Sequence, residues 1–171
     1  MRSSVPIVFL ASLAAPGAFA AAAPEEWVEG PQRPSLNGES GKVWFSPKFG
    51  RKQGTFPAMY DAVGDDRDSV TGDFLAARFR YTYDAPIGED TAENEAGHDL
   101  IPPRHDESIT EVLLDCDRHF SGTVSTRFLL KGKEVRHQRD DDQDILMTQV
   151  MGDAGTTVGD LCEFARQRGA K

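Results

Sequence analysis

Residues 74–84, which read FLAARFRYTYD, decide the fold class. Their side chains alternate between two chemical types along the whole run. One face carries the more apolar members, Leu75, Ala77, Phe79, Tyr81 and Tyr83, and the other carries Ala76, Arg78, Arg80 and Thr82. This period of two predicts a β-strand in a sheet with one buried face and one solvated face. Pro86 is expected to end the strand.

Further strand-like segments lie on both sides of this run. Residues 42–45 predict a first strand, and residues 56–63 predict a weaker one that Pro57 disfavours. Downstream, residues 108–116 and 120–131 also alternate between apolar and polar positions. The sequence therefore predicts a sheet of several strands.

A β-hairpin is indicated at the end of the longest downstream run. Gly132 provides a turn, and residues 134–139 return as the second strand of the hairpin. The apolar segment 145–151 fits either a strand or a helical turn.

Residues 157–169 carry the clearest helical pattern. Apolar side chains recur there at helical spacing, at Val158, Leu161, Cys162 and Ala165. Thr157 is expected to cap the first turn, with Asp160 three residues later as its partner. Gly169 is expected to close the C-terminal end.

The chain has two cysteines, Cys116 and Cys162. Cys116 falls on the apolar face of its strand, and Cys162 falls on the apolar face of the helix. In an oxidising compartment they most simply form one disulfide, and two separate buried thiols are the alternative. The predicted fold is α+β: a single domain over residues 42–169, with a small antiparallel sheet and a C-terminal helix tied to it by the disulfide.

Residues 1–20 have the pattern of a cleaved export signal. Arg2 precedes a short apolar run, and Ala18-Phe19-Ala20 fits the rule for signal cleavage. We expect a periplasmic or secreted protein that begins near Ala21, with residues 21–41 as a flexible lead-in. No cysteine follows the apolar run to carry a lipid anchor, and no other stretch is long enough to predict a membrane span.

Charge is unevenly distributed along the chain. The net charge of −9 argues against nucleic acid as a partner, because phosphate contacts need a basic surface. Residues 118–139 nevertheless form a basic stretch. Its candidate binding residues are Arg127, Lys131, Lys133 and Arg136, and their expected partner is a protein or an anionic envelope polymer. The alternative is that the acidic segment 87–106 or the aspartate run 140–144 folds back and neutralises them.

The sequence holds no complete catalytic motif, so we predict no catalytic residues, no metal ligands and no cofactor. A weaker hypothesis is a metal-dependent hydrolase that uses His98 and His105, each of which precedes an aspartate in the 87–106 segment. The alternative is that both are solvated loop histidines.

Three features together resemble a known family. A strand ending in LLDCDR at 113–118 precedes a KGKEV turn at 131–135, and a short C-terminal helix carries Cys162. With an exported N-terminus, this arrangement resembles the surface-adhesin protein E-like domains of Gram-negative bacteria over residues 42–169. The resemblance implies a small α+β fold with a disulfide between sheet and helix, and the best-known member is an adhesin that binds host matrix proteins. We therefore expect an exported, non-enzymatic, adhesin-like binding domain, and a periplasmic envelope accessory protein is the alternative.

Overall fold

The computed structural model describes residues 25–31, 40–59, 68–89, 102–149 and 156–170. This part of the chain forms one sheet and one helix. The strands are β1 (Val28–Glu29), β2 (Gly41–Phe45), β3 (Gly50–Met59), β4 (Asp68–Ile87), β5 (His105–Asp115), β6 (Phe120–Leu130), β7 (Lys133–Arg139) and β8 (Met147–Gln149), and the helix α1 is Thr157–Gln167. The mostly-β architecture with a C-terminal helix is confirmed. The predicted export signal lies outside the described residues.

The strands pair in a closed circuit. β4 spans 20 residues and pairs with β3 and then β2 along one edge and with β5 along the other. β5 pairs with β6, β6 pairs with β8, and β8 returns to β3. The predicted small antiparallel sheet is confirmed only in part: among the described strands every pairing is antiparallel except β3–β8, so the eight-stranded sheet is mixed. A circuit of five strands cannot alternate direction at every pairing, so one pairing is parallel.

Both faces of β4 are buried at its centre. Phe74 belongs to a core between the strands of the circuit, whereas Leu75 belongs to a core beneath α1. The first core contains Phe56, Ala58, Val70, Phe74, Leu113, Phe120, Val124, Ile145 and Met147. The second contains Val43, Phe45, Leu75, Ala77, Tyr81, Val112, Leu114, Leu161, Cys162 and Ala165. The predicted apolar face therefore packs against the helix, and the opposite face is polar only towards the C-terminal half of β4.

Several strand ends differ from the sequence prediction. β3 begins at Gly50, earlier than the predicted strand. The sequence did not predict this start, because the first residues of β3 are polar and carry no alternating hydrophobic pattern. Pro86 does not end β4, which continues to Ile87. The ambiguous segment 145–151 contributes the short strand β8.

The β6–β7 hairpin is confirmed. Its turn consists of Lys131 and Gly132, which have φ values of 52° and 75°. Positive φ at both central residues is the property of a two-residue type I′ turn, which matches the twist of the two strands. Leu130 and Lys133 are paired directly on either side of the turn.

The disulfide is confirmed. Cys116, which follows β5, is bonded to Cys162 of α1, and their Cα atoms are 5.7 Å apart. Leu161 and Ala165 are buried on the same face of the helix as Cys162. The bond therefore joins the helix to the sheet at the surface that they bury against each other.

Part of the predicted lead-in lies on the sheet. β1 pairs with β2, and the Gly30 backbone N–H donates a hydrogen bond to the Val43 carbonyl over 2.8 Å. The Glu25 carboxylate lies 2.7 Å from the Arg78 guanidinium. Sequence composition did not indicate these contacts, because a two-residue strand has no periodicity.

Thr156, not the predicted Thr157, is the N-cap of α1. Its backbone is extended, and its hydroxyl oxygen accepts a hydrogen bond from the Gly159 N–H over 3.0 Å. At the other end, Gly169 has a φ of 73° and follows the last helical turn, as predicted.

We expect the Thr156→Ala variant to lose about 1 kcal/mol of unfolding free energy, because an N–H of the first helical turn loses its acceptor. Thr157→Ala, within the first turn, is the matched control and is expected to change the stability by less than about 0.5 kcal/mol. Chemical denaturation of both variants measures the difference. Equal losses would contradict the assignment of the cap.

Candidate binding surface

The β6–β7 hairpin carries the basic residues predicted to bind. Among the described strands β7 pairs with β6 alone. Every residue of β7 except Arg136 is exposed. An exposed edge strand with charged side chains is protected against pairing with other chains, and it presents those charges to solvent.

The four predicted residues do not lie on one face. Arg127 is paired with His137 and Arg136 with Phe128, so the two arginines point to opposite sides of the sheet. Lys131 and Lys133 flank Gly132 at the tip. The cations are therefore distributed over both faces of the hairpin and its turn. We call it the basic hairpin (Arg127, Lys131, Lys133 and Arg136).

Among the described residues, the acidic side chains of Glu134 and Asp106 contact the basic hairpin. Glu134 accepts a hydrogen bond from Arg127 Nε over 2.7 Å, and both side chains are more than 40% exposed, so the pair adds little stability. Both carboxylate oxygens of Asp106 accept the backbone N–H of Lys131, at 3.1 and 3.0 Å. Asp106 therefore fixes the turn through its backbone, and the Lys131 ammonium makes no ion pair within the described ranges.

The predicted neutralisation by the aspartate run is not what the described residues show. Asp142 instead forms an ion pair with Lys52 of β3. From the acidic segment 87–106, Asp106 reaches the hairpin, and residues 90–101 lie outside the described residues.

A row of four side chains that crosses the sheet beside the hairpin was not predicted from the sequence. Trp44, Arg80, Ile109 and Arg127 are paired in register on four neighbouring strands. Arg80 Nη2 donates a hydrogen bond to the Glu107 carboxylate over 3.0 Å, and Trp44 Nε1 donates one to Thr82 over 3.3 Å. The period of two predicts which face Arg80 occupies. It does not predict its neighbours, because these depend on the register between distant strands.

The described residues contain one of the two histidines of the hypothetical metal site, His105. His105 is the first residue of β5 and is 1% exposed, so the expectation of a solvated loop histidine is wrong for it. Its ring lies 4.8 Å from Phe128 and 5.3 Å from Tyr83 between ring centroids, and its Nδ1 is 2.6 Å from the Pro103 carbonyl oxygen. The burial follows from β5, which begins three residues before the predicted strand. His98 lies outside the described residues.

Within those residues no three His, Cys, Asp or Glu side chains are grouped as metal ligands. The one described helix, α1, is too short and too polar to cross a membrane. Comparison with protein-family models, with curated proteins and with solved structures finds no match to this chain. The resemblance to protein E-like domains stays a prediction.

Proposed function

We propose that this chain is an exported, non-enzymatic binding domain that holds an acidic partner at the basic hairpin. The observation that carries the proposal is the exposure of β7, with cations on both of its faces and at its tip. The adhesin-like character expected from the family resemblance is part of the same proposal. The partner is an acidic protein surface or an anionic envelope polymer.

The shape of the basic hairpin determines which partners fit. Because Arg127 and Arg136 point to opposite faces, a flat anionic surface contacts only some of the cations at once. A flexible polyanion, or a protein with an acidic cleft, reaches all of them. Such a partner surrounds the hairpin.

The charge of the rest of the chain favours one orientation of the complex. The net charge of −9 opposes the approach of a polyanion to the chain as a whole, whereas the basic hairpin attracts it. Attraction to the basic hairpin and repulsion from the net negative chain together orient an anionic partner before contact. Because salt screens both forces, binding is expected to depend on the salt concentration.

Export is the second part of the proposal. It is supported by the signal-like residues 1–20 and by the Cys116–Cys162 disulfide, which is compatible with an oxidising compartment. A periplasmic or secreted domain meets anionic polymers and proteins of the envelope.

The proposal is tested by replacing Arg127, Lys131 and Lys133 with glutamine. We expect weaker retention of the mature domain on immobilised heparin, because three cations of the contact surface are lost. The magnitude of the slope of log affinity against log salt concentration should decrease by about 2, because the three lost contacts no longer release counter-ions on binding.

The matched control replaces three exposed cations outside the hairpin, Lys42, Lys48 and Arg168, with glutamine. This variant has the same net charge as the hairpin variant and is expected to keep the salt slope of the wild type. Equal weakening in the two variants would show a general charge effect and would overturn the proposal. Unchanged retention of the hairpin variant would overturn it as well.

A further inference from the structure

A groove of about 670 Å³ lies beside the disulfide, away from the basic hairpin. Its lining comes from β3, β4, the end of β5, the turn that follows β5, and α1 with the residues after it. We call it the disulfide groove. Its volume is in the range of pockets that hold small molecules.

The floor of the disulfide groove is apolar. It consists of Leu75, Leu114, Ala165 and the two bonded cysteines, all of which line the groove and belong to the helix-side core or pack against it. An apolar floor favours a ligand with a hydrocarbon or aromatic body, because contact removes apolar surface from water.

Arg118 also lines the groove, and its guanidinium is held on the face of β4 that carries Gly72 and Phe74. Its Nε donates a hydrogen bond to Asp115 over 2.6 Å, and its Nη2 donates one to the Thr71 carbonyl over 3.1 Å. A Cβ atom at position 72 would lie 2.6 Å from Arg118 Nη2, so Gly72 leaves the room that the guanidinium occupies. The pair of Arg118 and Asp115 therefore borders the groove as a fixed unit, and Arg51 and Arg166 are the lining cations that remain for a ligand.

Two more arginines complete the wall. Arg166 Nη2 donates to the Cys116 carbonyl over 2.9 Å, and Arg51 Nη2 lies 3.2 Å from the Asp73 carboxylate. Each contact engages part of a guanidinium that has five N–H donors.

The carboxylates of the wall are less available than the guanidinium groups. Both oxygens of Asp115 accept hydrogen bonds, from backbone N–H groups at one oxygen and from Arg118 at the other. The Asp117 side chain is 98% exposed, so its charge is screened by water. The third carboxylate of the lining, Asp73, is paired with Arg51, and the N–H donors of Arg51 and Arg166 that these contacts do not use are available to a ligand.

We propose that the disulfide groove binds a small amphipathic anion, with an apolar body on the floor and one carboxylate, sulfonate or phosphate group at the arginines. Arg166 and Arg51, which both line the groove, supply the N–H donors for the head group. This site is independent of the proposed function of the hairpin.

The probe is 8-anilinonaphthalene-1-sulfonate, which combines an aromatic body with a sulfonate and becomes fluorescent in apolar sites. We expect saturable binding at one site per folded mature domain, and competition by decanoate. N-phenyl-1-naphthylamine, a neutral dye of similar shape, is expected to bind more weakly than the sulfonate.

Two variants separate the head-group contact from the floor. Arg166→Gln is expected to weaken the sulfonate about tenfold and the neutral dye by less than twofold, because it removes a charged donor and leaves the floor intact. Ala170→Trp is expected to abolish binding of both dyes, because Ala170 lines the groove and the larger side chain would fill it.

Arg168→Gln is the control on the same part of the chain, since Arg168 stacks on Phe164 and does not line the groove. It should bind the sulfonate as the wild type does. Circular dichroism before titration confirms that each variant is folded. The proposal is overturned if binding does not saturate, if Ala170→Trp leaves it unchanged, or if Arg166→Gln affects both dyes equally.

Discussion

Replacing both Cys116 and Cys162 with serine is expected to lower the unfolding free energy by about 4 kcal/mol. The disulfide joins residues 46 positions apart, and its loss frees a long loop in the unfolded chain. The expected loss is a large share of the roughly 5–15 kcal/mol that stabilises a typical domain. Urea denaturation at constant pH, with the wild type and the variant side by side, measures the difference.

Reduction of the wild type is the matched control for this prediction. Under reducing conditions the wild type is expected to unfold at the urea concentration of the double-serine variant, because both then lack the same bond. The serine variant itself should not respond to the reductant. Wild-type stability that is unaffected by reduction would contradict a structural role for the bond.

Phe74→Ala is expected to cost about 4 kcal/mol. Phe74 is fully buried between the strands of the circuit and meets Phe56 edge to face, with ring centroids 5.2 Å apart. Its removal leaves a cavity that the surrounding strands cannot fill, because they are fixed by pairing on both sides. Thermal or chemical unfolding of the purified variant measures the loss.

Phe79→Ala is the control on the same strand. Phe79 is only partly buried against the helix-side core, so its truncation is expected to cost about half as much. A larger loss at Phe79 than at Phe74 would show that the closed circuit does not hold a core of its own.

Local patterns predicted the elements that have a strong period. The alternation at 74–84 predicted the central part of β4 and the face that packs against the helix. The helical spacing at 158–165 predicted the buried face of α1, and the two cysteines predicted the bond between helix and sheet.

The core within the circuit was not predictable in this way. Phe74 lies on the face of β4 that also carries Arg78 and Arg80, and a single strand gives no reason to bury one end of that face. Burial there depends on the parallel pairing of β3 with β8, which brings residues 58 and 147 together. Such long-range pairing leaves no local signal in the sequence.

The two candidate sites also differ in how much of each is visible in the local sequence. The basic hairpin is continuous in sequence, so its charges are visible as a cluster, although their division between two faces is not. The disulfide groove takes Arg51, Arg118 and Arg166 from three distant segments. Nothing in the spacing of these arginines indicates that they line one groove.

We propose that the protein is an exported domain whose helix is joined to its sheet by one covalent bond. The most direct measurement is the intact mass of the protein recovered from the envelope or medium, after treatment with an alkylating reagent without reductant. We expect a chain that begins near Ala21, carries no alkyl group, and is lighter than the reduced form by two hydrogen atoms. A full-length chain alkylated at both Cys116 and Cys162 would contradict it.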